Sequence, residues 1–115
     1  MHELGIVFQI IKQVDDIARK NEVKEVKCVT LEIGEVSGVI PKYLEDCWKW
    51  AVANRSEYMK DCELEIINLK ATSYCQDCKE MFDTSTHGKI CPKCGSKNTY
   101  LVTGNEVSIK DIKVI

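Results

Sequence analysis

No run of apolar residues in this 115-residue chain approaches the length needed to cross a bilayer. The opening residues Met1-His2-Glu3-Leu4 contain no basic n-region, so no secretory leader is expected. There is no excess of positive charge either. Sixteen Lys and Arg stand against 18 Asp and Glu, and the net charge of −2 argues against nucleic acid as the main partner. No Ser-His-Asp pattern, His-Glu-x-x-His or phosphate loop is visible, so no catalytic set stands out. Repeats and low-complexity tracts are also missing. What remains is an ordinary soluble balance, 44% hydrophobic and 30% charged. The length suits one compact domain, or a small domain with a metal-stapled lobe.

Cysteine is the residue type that is not scarce. Four of the seven fall in two pairs, Cys75-Gln76-Asp77-Cys78 and Cys91-Pro92-Lys93-Cys94. Each Cys-x-x-Cys on a tight turn presents two thiolates to one point, and two such turns make a closed tetrahedral site. The interval between the pairs is a little shorter than usual but leaves room for a short hairpin. Gly95 can take the positive φ that turns backbone N–H groups toward sulfur. The surrounding stretch is polar and poor in large apolar residues, so metal must supply much of its folding energy. The alternatives are disulfides or unrelated cysteines. Zinc is favoured over a rubredoxin-like iron, because no aromatic packing around the sulfurs is evident. Cys28, Cys47 and Cys62 remain as free thiols, Cys28 and Cys47 reading as packed residues. With no leader, this chemistry fits a reducing cytoplasm.

Periodicity predicts the rest. Leu4, Val7, Ile10, Ile11, Val14, Ile17 and Ala18 recur at helical spacing over residues 3–20, with Asn21 as the stop. Residues 26–36 alternate as a strand through Val29, Leu31 and Ile33. Pro41 opens a second helix, 41–54, with Leu44, Cys47, Trp48 and Ala51 on one face; Trp50 is left for an edge or an interface. Residues 62–70 and 106–114 are strands that each change phase midway. Antiparallel pairing of these two, with a bulge in each, would reconcile the patterns. The expected fold class is α/β: a two-helix, three-stranded mixed-sheet domain of residues 1–71 plus 105–115, with a zinc ribbon of residues 72–104 inserted. The connection from the first strand through the second helix is long enough for a parallel crossover.

The start Met1-His2-Glu3 directly on a helix, the helix–strand–helix–strand module, and the ribbon inserted before Gly104-Asn105-Glu106 together resemble the HypA/HybF family of hydrogenase nickel-insertion proteins. The resemblance covers nearly the whole chain. It implies a metallochaperone rather than an enzyme. Such a protein takes Ni(II) as transient cargo and hands it to the [NiFe]-hydrogenase large-subunit precursor, in some organisms also to urease. It works with a HypB-type maturation GTPase, and self-association is left open. No nucleic acid or membrane partner is implied. The family's structural zinc maps to Cys75, Cys78, Cys91 and Cys94, and its nickel site to Met1, His2 and Glu3. Some relatives place a carboxylate before the second helix, where this chain has Val39-Ile40-Pro41, so the fourth nickel ligand is not identified.

The terminal chemistry is consistent with that reading. The Met1 amine, His2 amide and His2 imidazole can form fused chelate rings whose nitrogen-rich, nearly planar geometry suits Ni(II) or Cu(II). First-turn amides have no intrahelical acceptor and are free to ionise, although a helix N-terminus disfavours a cation. An early His taken alone is most often an exposed residue. His87, in the ribbon loop, reads as an exposed turn residue, with a supplementary nickel ligand or pH switch as the sharper alternative. The competing functions are a zinc-ribbon nucleic-acid or protein adaptor, whose even mix of Lys79, Lys89, Lys93 and Lys97 with Asp77, Glu80 and Asp83 is poor for phosphate, and a rubredoxin-like electron carrier.

Overall fold

Helix α1 (Glu3–Lys20) carries Val7, Ile10, Ile11, Val14 and Ala18 into the core at spacings of three and four. Leu4 and Ile17, expected on the same stripe, are exposed at its margins. The helix stops where both the backbone N–H and the side-chain amide of Asn21 turn back to the Ile17 carbonyl, at 3.1 and 2.8 Å. The structure, a computed structural model, describes residues 3–115. The remaining elements are β1 (Val26–Gly34), α2 (Pro41–Arg55), β2 (Glu63–Leu69), β3 (Thr72–Cys75), β4 (Met81–Asp83), α3 (Thr84–His87), β5 (Thr99–Thr103) and β6 (Val107–Val114).

Helix α2 starts at Pro41, whose missing N–H costs nothing in the first turn. Ile40 precedes it without a side-chain cap; instead its N–H donates to the Glu3 carboxylate at 3.4 Å. Leu44, Trp48, Ala51 and Val52 are buried, and the Trp48 indole donates to the Cys62 carbonyl at 3.0 Å. Cys47, expected in the core, lies half-buried at its flank. One core partner is polar. Asp15 is buried and accepts from the Ser56 hydroxyl at 2.8 Å and from the N–H groups of Glu57 and Tyr58 at 3.1 and 3.4 Å. Ser56 in turn accepts from the Met59 N–H at 2.9 Å. A carboxylate taken out of water is tolerable only with such partners. The result fastens the turn after α2 to α1.

The larger sheet has the order β2-β1-β6. Its strand directions follow from hydrogen bonds. Val26 N–H reaches Tyr58 O and Glu35 N–H reaches Leu69 O, both at 2.8 Å, so β1 and β2 run together, joined through α2 as a parallel crossover requires. Ile115 N–H reaches Glu25 O at 2.9 Å and Gly34 N–H reaches Glu106 O at 2.7 Å, so β6 runs against β1. This corrects the expected pairing of the two phase-shifted strands. Burial does change parity within both, after Ile66 in β2 and after Lys110 in β6. The strands are nonetheless not neighbours, because β1 lies between them. The physical reason is burial: Val29, Thr30 and Leu31 are consecutive and all buried, so β1 needs cover on both faces and on both edges.

Two compact units emerge: residues 1–32, 39–67 and 108–115, and residues 33–38 and 68–107. The first holds α1, α2 and the main apolar core. The second holds the smaller sheet, of order β4-β3-β5, both pairings antiparallel. Within this second unit the Gly104-Asn105-Glu106 join has a clear steric logic. A Cβ on Gly34 would lie 2.1 Å from the Gly104 carbonyl, and one on Gly104, at φ +120°, would lie 2.4 Å from the Ala71 Cα. The Glu106 carboxylate accepts from the Gly104 N–H at 2.6 Å, and the Val36 N–H donates to the Gly104 carbonyl at 2.7 Å.

Candidate metal centres

The two Cys-x-x-Cys stretches fold into matching knuckles. In the first, Lys79 N–H donates to Cys75 O at 2.9 Å and Cys75 N–H to Glu80 O at 2.9 Å. In the second, Gly95 N–H donates to Cys91 O at 2.9 Å and Cys91 N–H to Ser96 O at 3.0 Å. The residue after the second cysteine of each pair has positive φ, Gly95 at 73° as its type predicts and Lys79 at 59° without that help. The β3–β4 hairpin carries the first knuckle. The second follows α3 and leads into β5, and β5 pairs with β3, which brings the knuckles together.

The four sulfurs of Cys75, Cys78, Cys91 and Cys94 all lie within 4.8 Å of one another. Cys75 to Cys94 is 3.6 Å and Cys78 to Cys91 is 3.5 Å. A disulfide needs about 2.05 Å, and none of the cysteines is so paired. A tetrahedron with metal–sulfur bonds of about 2.3 Å has edges of about 3.8 Å. The donor set therefore fits one thiophilic ion with every position filled by protein. The sulfurs do not share one environment. The N–H of Cys94, helped by that of Lys93 against the effect of desolvation, holds the Cys91 thiol down at about 7. Desolvation, with hydrogen bonds from the other sulfurs, pushes Cys78 up to about 12. Four packed sulfurs cannot all become anions without a compensating cation.

Polar links lace the knuckles from outside. The Asp77 carboxylate accepts from the Ser96 hydroxyl and, at 3.4 Å, from the Asn98 amide, and these bonds hold its carboxyl below the ordinary range. One expectation needs correction. Phe82 is buried in a cluster with Cys75 and Cys91, against which Cys78 packs, so the sulfurs do have an aromatic neighbour. Sequence reasoning misses Phe82 because it lies outside both motifs and reaches the site only through the β3–β4 pairing. His87 sits exposed on α3, its ring edge-on to Phe82 at 6.3 Å. It is not part of the cysteine cluster, the one candidate metal group among the described residues.

At the other end of the chain, Met1 and His2 lie outside the described residues. Glu3 is half-buried in the first turn of α1, its carboxylate on the Ile40 N–H. The segment Val39-Ile40-Pro41 therefore reaches Glu3 through the Ile40 backbone amide.

Residues 1–114 match the family HypA, hydrogenase/urease nickel incorporation, metallochaperone. The hydrogenase maturation factor HypA of Actinobacillus succinogenes is 33% identical over 114 residues, 99% of each chain. That of Aquifex aeolicus is 32% identical, covering 99% of this chain and 97% of its own. The solution structure of the Ni metallochaperone HypA from Helicobacter pylori superposes with a TM-score of 0.75 at 28% identity, covering 100% of this chain and 98% of that one. With one family spanning the chain, relatives aligned end to end and a shared fold, this chain belongs to the HypA family of hydrogenase/urease nickel-incorporation metallochaperones.

Proposed function

We propose that this protein binds one Ni(II) per chain at its N-terminus and delivers it to the [NiFe]-hydrogenase large-subunit precursor, with a HypB-type GTPase as its maturation partner and urease as a second client. The observation that carries the reading is the family match over residues 1–114, a span that includes Met1-His2-Glu3. In this reading the His2 imidazole is the indispensable side-chain ligand, and the Met1 amine and main-chain amides add nitrogens. Glu3 supplies negative charge in the first turn, offsetting the positive helix end. Its bond to the Ile40 N–H suits it to orient the terminus. All the nitrogen donors must lose protons to bind, so acidification releases the cargo, the imidazole reprotonating first near its reference value of about 6.5.

The ribbon, residues 72–104, is assigned structural Zn(II) on Cys75, Cys78, Cys91 and Cys94. Sulfur spacings close to a tetrahedral edge support zinc, and a filled coordination sphere argues against catalysis there. Residues 1–71 plus 105–115 form the nickel-binding part. The family's role is that of a metallochaperone, and the assignment here is of a carrier, not an enzyme, acting in the cytoplasm. Among the described residues no helix is long and apolar enough to cross a membrane.

The test is Ni(II) titration of the untagged protein and its His2→Ala variant by calorimetry. One tight equivalent is expected in the first and a large loss of affinity in the second. Equal stoichiometry and affinity in both removes His2 and the proposed mechanism with it.

A further inference from the structure

On the outer side of the α1–α2 pair lies a groove of about 320 Å³ bordered by Phe8, Lys12, Asp16, Arg19 and Arg55, floored in part by Ile11. Its charges are of two kinds. Arg19 is already committed, to Asp16 at 3.1 Å and to Glu57 at 3.2 Å, and Asp15 at the base is saturated by Ser56, Glu57 and Tyr58. Lys12 and Arg55 have no carboxylate partner among the described residues. Arg55 is nevertheless not free to wander. Its guanidinium lies 5.5 Å from the centre of the Phe8 ring and 5.6 Å from that of Trp50. Both rings lie within cation–π reach of the guanidinium, and its N–H donors have no side-chain partner among the described residues. Trp50, 50% exposed, contributes nothing to the core and has no other assigned task.

A guanidinium that is pre-oriented and unpaired is suited to two parallel bonds to a planar oxyanion. A neighbouring lysine adds a second, less directional attraction. Exposed Trp and Arg side by side are also the residue types that dominate binding energy where proteins meet. We propose that this groove docks an acidic segment of a partner protein, Arg55 taking one carboxylate in a bidentate pair, Lys12 a second, and the Phe8 and Trp50 rings covering an adjoining apolar side chain. The charge pattern selects the occupant. A nucleic-acid backbone would gain only two free cations here and would meet Asp16 at the rim, in a protein of net charge −2. Among the described residues, Glu3 is not part of the lining.

The probe is a blocked, fluorescently labelled peptide of alternating Glu and Phe, with a Gln-for-Glu peptide and an oligo-dT strand as comparators, read by anisotropy. Saturable binding of the Glu peptide that weakens with salt is expected. Arg55→Gln should lose about tenfold in affinity, about 1.4 kcal/mol. Lys12→Gln should lose less, and Arg55→Lys should recover only part because the planar fork is gone. Circular dichroism and Ni(II) uptake of Arg55→Gln should match wild type, which separates docking from folding and from the nickel site. The proposal is overturned if Arg55→Gln binds as well as wild type, if the Gln peptide or the oligonucleotide binds as tightly as the Glu peptide, or if wild type shows no saturation with the Glu peptide below about 1 mM.

Discussion

The two units solve the problem of a small core in opposite ways. In the helical unit, Val7, Val14, Leu31, Leu44, Trp48 and Met59 are almost wholly removed from water, and burial of apolar surface supplies the stability. In the ribbon unit the cluster at the knuckles is Cys75, Phe82 and Cys91 with Cys78 against it. One aromatic ring and three sulfurs bury too little to offset the entropy of ordering that stretch of chain. The same residue type thus has different work in each. Ribbon cysteines gather sulfur at a point, whereas Cys62 sits buried as a small hydrophobe, its carbonyl on the Trp48 indole. Stability in the first unit is distributed over many contacts, and in the second it is concentrated at one place.

That contrast can be broken most sharply at the ion proposed for the four clustered cysteines. Removing it with a chelator, or replacing Cys94 with Ser, should abolish ordered amide signals from residues 72–104 in an NMR spectrum while leaving those of α1 and α2 in place. Structural zinc contributes on the order of 10 kcal/mol to small domains of this kind, so the effect should be all or none. Loss of the helical signals at the same time, or a fully folded ribbon without metal, contradicts the division.

The converse substitution is Leu44→Ala, which empties a fully buried position on α2. A cost of about 2–5 kcal/mol is expected in denaturant unfolding of the helical unit. Metal content, measured on the same sample under native conditions, should stay at the wild-type ratio. Metal loss parallel to unfolding would show one cooperative structure rather than two.

A smaller effect sharpens the contrast between sulfurs. Desolvation pushes the Cys62 thiol up to about 12, the nearby Cys28 adding to it. The folded state therefore prefers the protonated thiol. This contribution is fully present below the unfolded value of about 8.5 and is eroded as pH rises from there through the folded one. Mass-spectrometric mapping of iodoacetamide labelling at pH 8 should find Cys62 unmodified in the native protein and modified once it is unfolded. Native labelling of Cys62 as fast as of an unstructured thiol is the contrary result.

Short-range chemistry makes much of this molecule legible in its residues alone. Helix α1 is readable because its stripe repeats every three or four positions, and Pro41 marks the start of α2 because a first-turn proline loses no hydrogen bond. The gathering of the four cysteines is readable because a Cys-x-x-Cys knuckle is closed by bonds spanning four or five residues, as those from Lys79 to Cys75 and from Gly95 to Cys91 are. Short α3 is not readable: its four residues carry no apolar stripe, and they are held by the cap at Asp83, whose carboxylate takes the Ser85 N–H at 3.0 Å and its hydroxyl at 2.8 Å, and by bonds of Thr84 with Ala71 and Ser73.

Tertiary structure decides what depends on partners remote in the chain. Parity within β2 and β6 indicates which side chains turn inward, but parity is blind to which strand lies alongside. Only the need to cover β1 on both edges separates them. Asp15 is one more polar residue on α1 until the turn 41 residues later places Ser56 over it. Trp50 is an edge residue, and Arg55 a helix-terminal cation, until α1 brings the Phe8 ring to 5.5 Å from the guanidinium. Sequence alone determined the helices α1 and α2, the knuckles and their cysteines, since each is closed by bonds within a few residues. Strand order, the buried carboxylate and the stacked arginine were settled by packing, because their energies arise only when distant segments meet.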